Sequence, residues 1–127
     1  MKHRIVASIV ALALGIACAP AAQAGPSAKA QLEIDALMVA LEKSGCRFER
    51  NGSWYDAVRA RGHLQEKYDY LRRRDQVDSA EQFIDRAATQ SSMSGKPYHV
   101  KCPDKPLVTS HDWFVQQLRV VRAASRR

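Results

Sequence analysis

Two short alternating segments, each carrying a cysteine, constrain the fold of this chain most strongly. Cys46-Arg47-Phe48-Glu49-Arg50 runs into Asn51-Gly52, a strong turn signal. Lys96-Pro97-Tyr98-His99-Val100-Lys101-Cys102 alternates and stops at Pro103. As antiparallel strands, one register sets Cys46 opposite Cys102, Phe48 opposite Val100 and Arg50 opposite Tyr98. All six then share a face, because side chains repeat with period two along a strand. A bridge between the cysteines closes a long loop and contributes on the order of 4 kcal/mol in the chain-entropy model. Cross-strand geometry, often strained, lowers that figure.

The pairing depends on where the chain resides, and its first residues speak to that. Lys2, His3 and Arg4 form a positive start. Ile5 to Ile16 is an uncharged apolar run of twelve residues, short of the about 20 that a spanning helix needs. Pro20 breaks the helix, and Ala22-Gln23-Ala24 supplies the small residues of a cleavage site. Residues 1–24 therefore read as a signal peptide that is cleaved, leaving residues 25–127 as a single small domain in the periplasm. An uncleaved membrane anchor is the competing reading; the short apolar core and the small-residue end argue against it. A lipoprotein anchored through Cys18 is a second alternative, although Gly15 stands where a bulky aliphatic residue is expected. With the leader removed, three cysteines become two. An even pair in an oxidising compartment points to a disulfide. No CxxC and no ligand-spaced His or Cys suggests a metal site.

The leader also takes two of the 20 Lys and Arg with it. Eighteen basic residues then face 13 acidic ones, a net charge of +5 in place of +7. Positive charge favours anionic partners. An exported chain without a recognition motif is not expected to bind nucleic acid. Arg72-Arg73-Arg74 closes a helix, where cations complement the macrodipole. About 100 residues allow one domain with a modest core.

The remaining pattern is helical. Ser27 caps a helix to about Ser44 with Leu37, Leu41 and Ile34 or Met38 inward, and Gly45 ends it. From about Tyr55 to Arg74, the residues Ala57, Ala60, Leu64, Tyr68 and Leu71 recur at helical spacing, despite Gly62. Ser79-Ala80-Glu81-Gln82 is a capping box. It opens a helix with Ala80, Phe83, Ile84, Ala87 and Ala88 on one stripe. Ser110 caps a last helix, His111 to about Ala124, with Phe114, Leu118 and Val121 inward. The expected fold class is α+β, mainly helical, in the order α-β-α-α-β-α around a two-stranded antiparallel sheet.

Four blocks in this order, Phe48-x-Arg50-Asn51-Gly52, His63-Leu64 with Lys67, Ser79 to Arg86, and Ser91-Ser92-x-Ser94-Gly95-Lys96-Pro97-Tyr98, resemble the YfeK-like proteins. These are small exported proteins of Gram-negative bacteria, classed as a domain of unknown function. The resemblance runs from about Leu32 to Trp113. It implies compartment and fold, and brings no activity, ligand or catalytic residue. Members of that family can carry apolar residues where Cys46 and Cys102 stand. A bridge here would then be local reinforcement of the strand pair.

Candidate site residues cluster in three places. His63 and Lys67 share a helix face, with Arg59 before them and Tyr70 after. The loop Ser91-Ser92-Met93-Ser94-Gly95-Lys96 offers hydroxyls, a flexible glycine and a cation. Arg50, Asn51, Tyr55 and Tyr98 flank the turn and strands, with Trp54 beside Tyr55. A hydrolase or transferase would use a loop serine as nucleophile and His63 as base. It would also need an orienting carboxylate, for which Asp56 or Asp85 could be offered, and an oxyanion hole. The G-x-S-x-G elbow is missing. An anion pocket would use loop N–H groups with Arg50, Lys67 and Lys96. It would not be a P-loop, since the upstream glycine is absent. A structural reading has the serines cap the third helix and second strand, His63 donate to a carbonyl, and Arg50 stack on Tyr98. His63, His99 and His111 are not spaced as metal ligands, so neither metal nor cofactor is expected. The chain is expected to be a non-enzymatic binding or accessory module of the cell envelope. Its partner would be an anionic envelope component or another envelope protein, and its mature part would have no transmembrane segment. The alternative is the small envelope hydrolase or transferase.

Overall fold

Four helices enclose one face of a four-stranded antiparallel sheet in the computed structural model, which describes residues 9–18 and 25–127. The basic start, Pro20 and the Ala22-Gln23-Ala24 site lie outside the described residues. Residues 9–18 form no helix or strand, and their side chains are exposed.

Helix α1, Ala28–Lys43, begins where Ser27 Oγ accepts from the Ala30 N–H at 3.1 Å. It buries Ile34, Leu37, Met38 and Leu41. Gly45, at φ 67°, turns the chain after the Ser44 cap in the left-handed conformation that glycine adopts without penalty. Helix α2 is Ala57–Arg72. Asp56 caps it by accepting from the Arg59 N–H at 2.8 Å, so it starts later than the hydrophobic spacing suggests. Helix α3, Ala80–Ala87, opens on Ser79 Oγ, which accepts from Gln82 N–H. The reciprocal bond falls one residue early, from Asp78 N–H to Gln82 Oε1 at 3.0 Å. Helix α4, Ser110–Ser125, is capped by Thr109 and not by Ser110. Ser110 is the first helical residue, and its N–H donates to Tyr98 O.

The sheet has four strands where two were expected. Strands β1 (Arg47–Arg50), β2 (Ser53–Tyr55), β3 (His99–Lys101) and β4 (Val108–Thr109) lie in the order β2-β1-β3-β4. The element order is therefore α-β-β-α-α-β-β-α. The two unexpected strands have three and two residues, too short to display an alternating pattern. Asn51 and Gly52, at φ 51° and 82°, make the two-residue turn that folds β2 back on β1. Between β1 and β3, Phe48 faces Val100 as the sequence pattern requires. One step beyond lies the disulfide Cys46–Cys102, with Cα atoms 4.2 Å apart. The pairing stops at Glu49–His99, before Arg50 and Tyr98 can face each other. There the Tyr98 N–H turns to Thr89 O.

Phe48 and Val100 carry the sheet's share of the core. An unbroken edge-to-face series, Phe48–Trp113–Phe114–Phe83–Tyr68, runs from sheet to helices with centroids 5.5, 4.9, 6.2 and 5.4 Å apart. Each such pair is worth about 0.5–1.5 kcal/mol beyond its buried area. The Tyr68 hydroxyl donates to Gln31 Oε1 at 2.9 Å, which keeps that buried ring's polar end satisfied.

Candidate functional site

The end of the sheet near the Asn-Gly turn does not close completely against the helices. A cavity of about 80 Å³ opens there. Leu41, Phe48, Leu64, Ala87, Ala88 and Phe114 form its apolar walls. Arg50, Tyr55, His63, Lys67 and Tyr98 ring it with polar groups. Helix α2 supplies Ala60, His63, Leu64 and Lys67, a single stripe at spacings of three, four and seven. The core stripe of the same helix runs beside it. The sheet supplies Phe48, Glu49 and Arg50.

The polar groups on this wall differ in how well they are satisfied. Arg50 lies over the Tyr55 ring, its guanidinium carbon 5.6 Å from the centroid. It has no ion pair or side-chain hydrogen bond among the described residues. Lys67 Nζ donates to Gln90 O at 2.7 Å and to the Tyr98 hydroxyl at 3.4 Å. Burial, reinforced by the Arg50 charge, lowers the Lys67 pKa. Burial also lowers that of His63, and Arg50 and Arg59 add to the effect. Tyr98 is pushed up by burial, against Arg50. Glu49 is the carboxylate on this wall. Burial acts to raise its pKa, but His99 at 2.9 Å and the Gly52 N–H hold it below the ordinary value.

His63 donates to no carbonyl among the described residues. It packs edge-to-face on Tyr55 with centroids 4.8 Å apart. Arg50 stacks on Tyr55 and not on Tyr98, because the strand pairing ends before Tyr98. Tyr70 and Arg59 lie outside the cavity. Tyr70 stacks with Arg74, and Arg59 lies over the Tyr55 ring with its guanidinium carbon 5.5 Å from the centroid.

The serine loop forms a separate structure. Ser91 Oγ accepts from Met93 N–H, Ser94 N–H and Asn51 Nδ2. Ser94 Oγ donates to Asn51 Oδ1 at 2.6 Å and accepts from Lys96 N–H. The Gly95 N–H donates to Ser91 O. The loop N–H groups of residues 93 to 96 are thus consumed internally, so they cannot form an anion nest. The arrangement is a clip that ties the hairpin turn to the loop. Helix α3 is closed by Thr89 Oγ1, which donates to Ile84 O, and not by the serines. No loop serine bonds to His63, and Ser92, Gly95 and Lys96 are exposed away from the cavity. The nucleophile–base pair of a hydrolase is not assembled between His63 and this loop.

Two wall residues escape sequence inspection, Glu49 and Ser110. Ser110 is 3% exposed and lines the cavity. Its hydroxyl makes no hydrogen bond among the described residues, yet none of their side-chain polar atoms is sealed without a partner. That hydroxyl is therefore not sealed from solvent. Only its small polar character beside a helix start could have marked it. Among the described residues, no three His, Cys, Asp or Glu side chains gather as metal ligands. No described helix is long and apolar enough to cross a membrane.

Fold and site define a small α+β domain with a disulfide across its central strands and a cavity between sheet and helices. The chain belongs to the family of unknown function DUF5329, whose model matches residues 28–122. It is 41% identical over 96 residues to a protein of Salmonella typhimurium described as uncharacterized protein YfeK. The match covers 75% of each chain. This is the YfeK-like, unknown-function family of Gram-negative bacteria indicated by the four sequence blocks. No solved structure matches the chain.

Proposed function

We propose that residues 25–127 form an exported, periplasmic binding module that holds a small ligand in the cavity between α2 and the sheet. The cavity itself carries this reading. Buried apolar side chains of the core leave a small space between them here, ringed by a few convergent polar groups. That is the usual composition of a ligand site. Export rests on the basic start, the apolar run and the small-residue end of residues 1–24. It is supported by the exposure of Ile9, Val10, Leu12, Leu14 and Ile16, which take no part in the core.

Two measurements test these claims. Mass spectrometry of the protein from the periplasm of a Gram-negative host is expected to find a chain beginning at Gly25. Recovery of the intact precursor in the cytoplasm overturns export. Titration of the protein with 1-octanol, followed by backbone amide NMR, is expected to shift Phe48, Leu64 and Phe114 saturably. Ala60→Phe, which fills the cavity from α2, is expected to abolish these shifts while the domain stays folded. Shifts that persist unchanged in that variant overturn the cavity as the binding site.

A further inference from the structure

Within this binding-module reading, we propose that the ligand is an amphipathic organic monocarboxylate. Its apolar chain or ring enters between Leu64 and Phe114, and its carboxylate lies between Arg50 and Lys67.

The charge inventory of the wall supports a single negative charge. Arg50 and Lys67 both face the cavity, and the carboxylate on the same wall belongs to Glu49. Glu49 is already committed, accepting from the Gly52 N–H at 2.9 Å and meeting His99 Nδ1 at 2.9 Å. Neither Arg50 nor Lys67 is paired with it. Two cations beside an apolar wall repel each other and lose part of their hydration, so an anion between them relieves both costs. Counted with the Glu49 carboxylate, Arg50 and Lys67 leave the wall one positive charge, which one carboxylate neutralises and a phosphate dianion overshoots.

The available donors agree. Lys67 has three N–H groups and spends two, on Gln90 O and the Tyr98 hydroxyl. The Arg50 guanidinium offers a planar fork that matches a carboxylate. Beyond them lie the apolar side chains of Leu41, Phe48, Leu64 and Phe114, with Tyr55, His63 and Tyr98 around the opening. Ser110, 3% exposed, also lines the cavity, and its hydroxyl has no hydrogen-bond partner among the described residues. That hydroxyl is free to meet a polar atom of a ligand or water. A ligand with an acid head and an apolar body meets both kinds of surface at once.

The test compares sodium octanoate, 1-octanol, octylamine and octyl phosphate by isothermal titration calorimetry on the purified protein. A hydrogen bond to a charged group contributes about 1.5–3 kcal/mol, so octanoate is expected to bind at least roughly tenfold more tightly than octanol. Octylamine is expected to bind more weakly than octanol. Arg50→Gln is expected to erase the octanoate advantage and leave octanol unchanged, and Lys67→Gln to reduce it. Equal affinity for octanoate and octanol overturns the carboxylate and leaves the cavity reading standing. Tighter binding of octyl phosphate overturns the monoanion assignment. Failure of all four to bind overturns the cavity reading with it. Should Lys67→Gln not fold, Arg50→Gln decides alone, since the Arg50 guanidinium has no side-chain hydrogen bond among the described residues to lose.

Discussion

Arg122 and Arg50 are both only partly exposed, on different parts of the same small domain, and they have been treated oppositely. Arg122 on α4 grips Glu33 through Nε and Nη2, at 2.7 and 3.2 Å, and reaches Glu81 at 2.5 Å. It binds α1 and α3 to α4. Glu33 is nearly buried, yet its pKa is lowered, because the Arg122 hydrogen bond outweighs burial. Arg122 in turn is pushed up, first by Glu33. Among the described residues Arg50 has no such partner. It lies over an aromatic ring beside a second cation, at the mouth of a cavity. A charge gathered into a closed network serves the fold. A charge left unmatched at an opening is available to something outside it.

The largest effect expected belongs to the brace that holds the Arg50 strand. Replacing both cysteines, Cys46→Ala with Cys102→Ala, should cost up to about 4 kcal/mol in urea denaturation, because 56 residues separate the bridged positions. A cost below about 1 kcal/mol would show that the sheet needs no bridge to keep its cavity wall in place. Next comes the satisfied charge. Glu33→Ala should destabilise by about 1–2 kcal/mol, since it removes both Arg122–Glu33 hydrogen bonds and leaves Arg122 only Glu81. The same pair has a pH signature. A carboxylate whose folded-state pKa is lowered adds stability above its ordinary value, here 4.5, and loses it as pH falls through the folded value. Glu33→Gln should therefore flatten the acid arm of the stability curve below about pH 4.5. An unchanged acid arm would remove Arg122–Glu33 as the contrasting case.

Smaller effects sharpen the other side. Asn51→Gly keeps the left-handed turn but cuts the ties to Ser91 and Ser94. It should cost about 1 kcal/mol by thermal unfolding. The unmatched cations should cost least. Arg50→Ala and Lys67→Met are each expected to move stability at pH 7 by no more than about 0.5 kcal/mol. For Lys67 the sign follows from its lowered pKa. Its charged form weakens the fold below the folded-state pKa, and that weakening disappears as pH rises towards the ordinary value of 10.5. Loss of the Lys67 bond to Gln90 O acts against the gain. A loss of 2 kcal/mol in Arg50→Ala would mean that Arg50 is structural after all, and the contrast would fail.

Helices were legible because each spans enough residues to show its period, and Ser27 and Ser79 marked two of the starts. The Phe48–Val100 register was legible because two alternating segments share one buried face. Strands β2 and β4 were not, because three and two residues cannot display alternation. The serine loop misled for a related reason. Ser, Gly and Lys compose an anion nest and a self-satisfied clip equally well. Which one forms depends on Asn51, forty residues away from Ser91.

By itself the sequence determined the family, the four helices and the central cysteine-bridged strand pair, since those follow from local spacing and one facing register. Only the tertiary structure decided that Arg50, His63, Lys67 and Tyr98 meet at one opening, that Ser91 and Ser94 do not join them, and that Ser110 does. The physical reason is that a cavity is what packing leaves unfilled. Its walls come from α1, β1, β2, α2, α3 and α4, and no single stretch of chain contains the space between them.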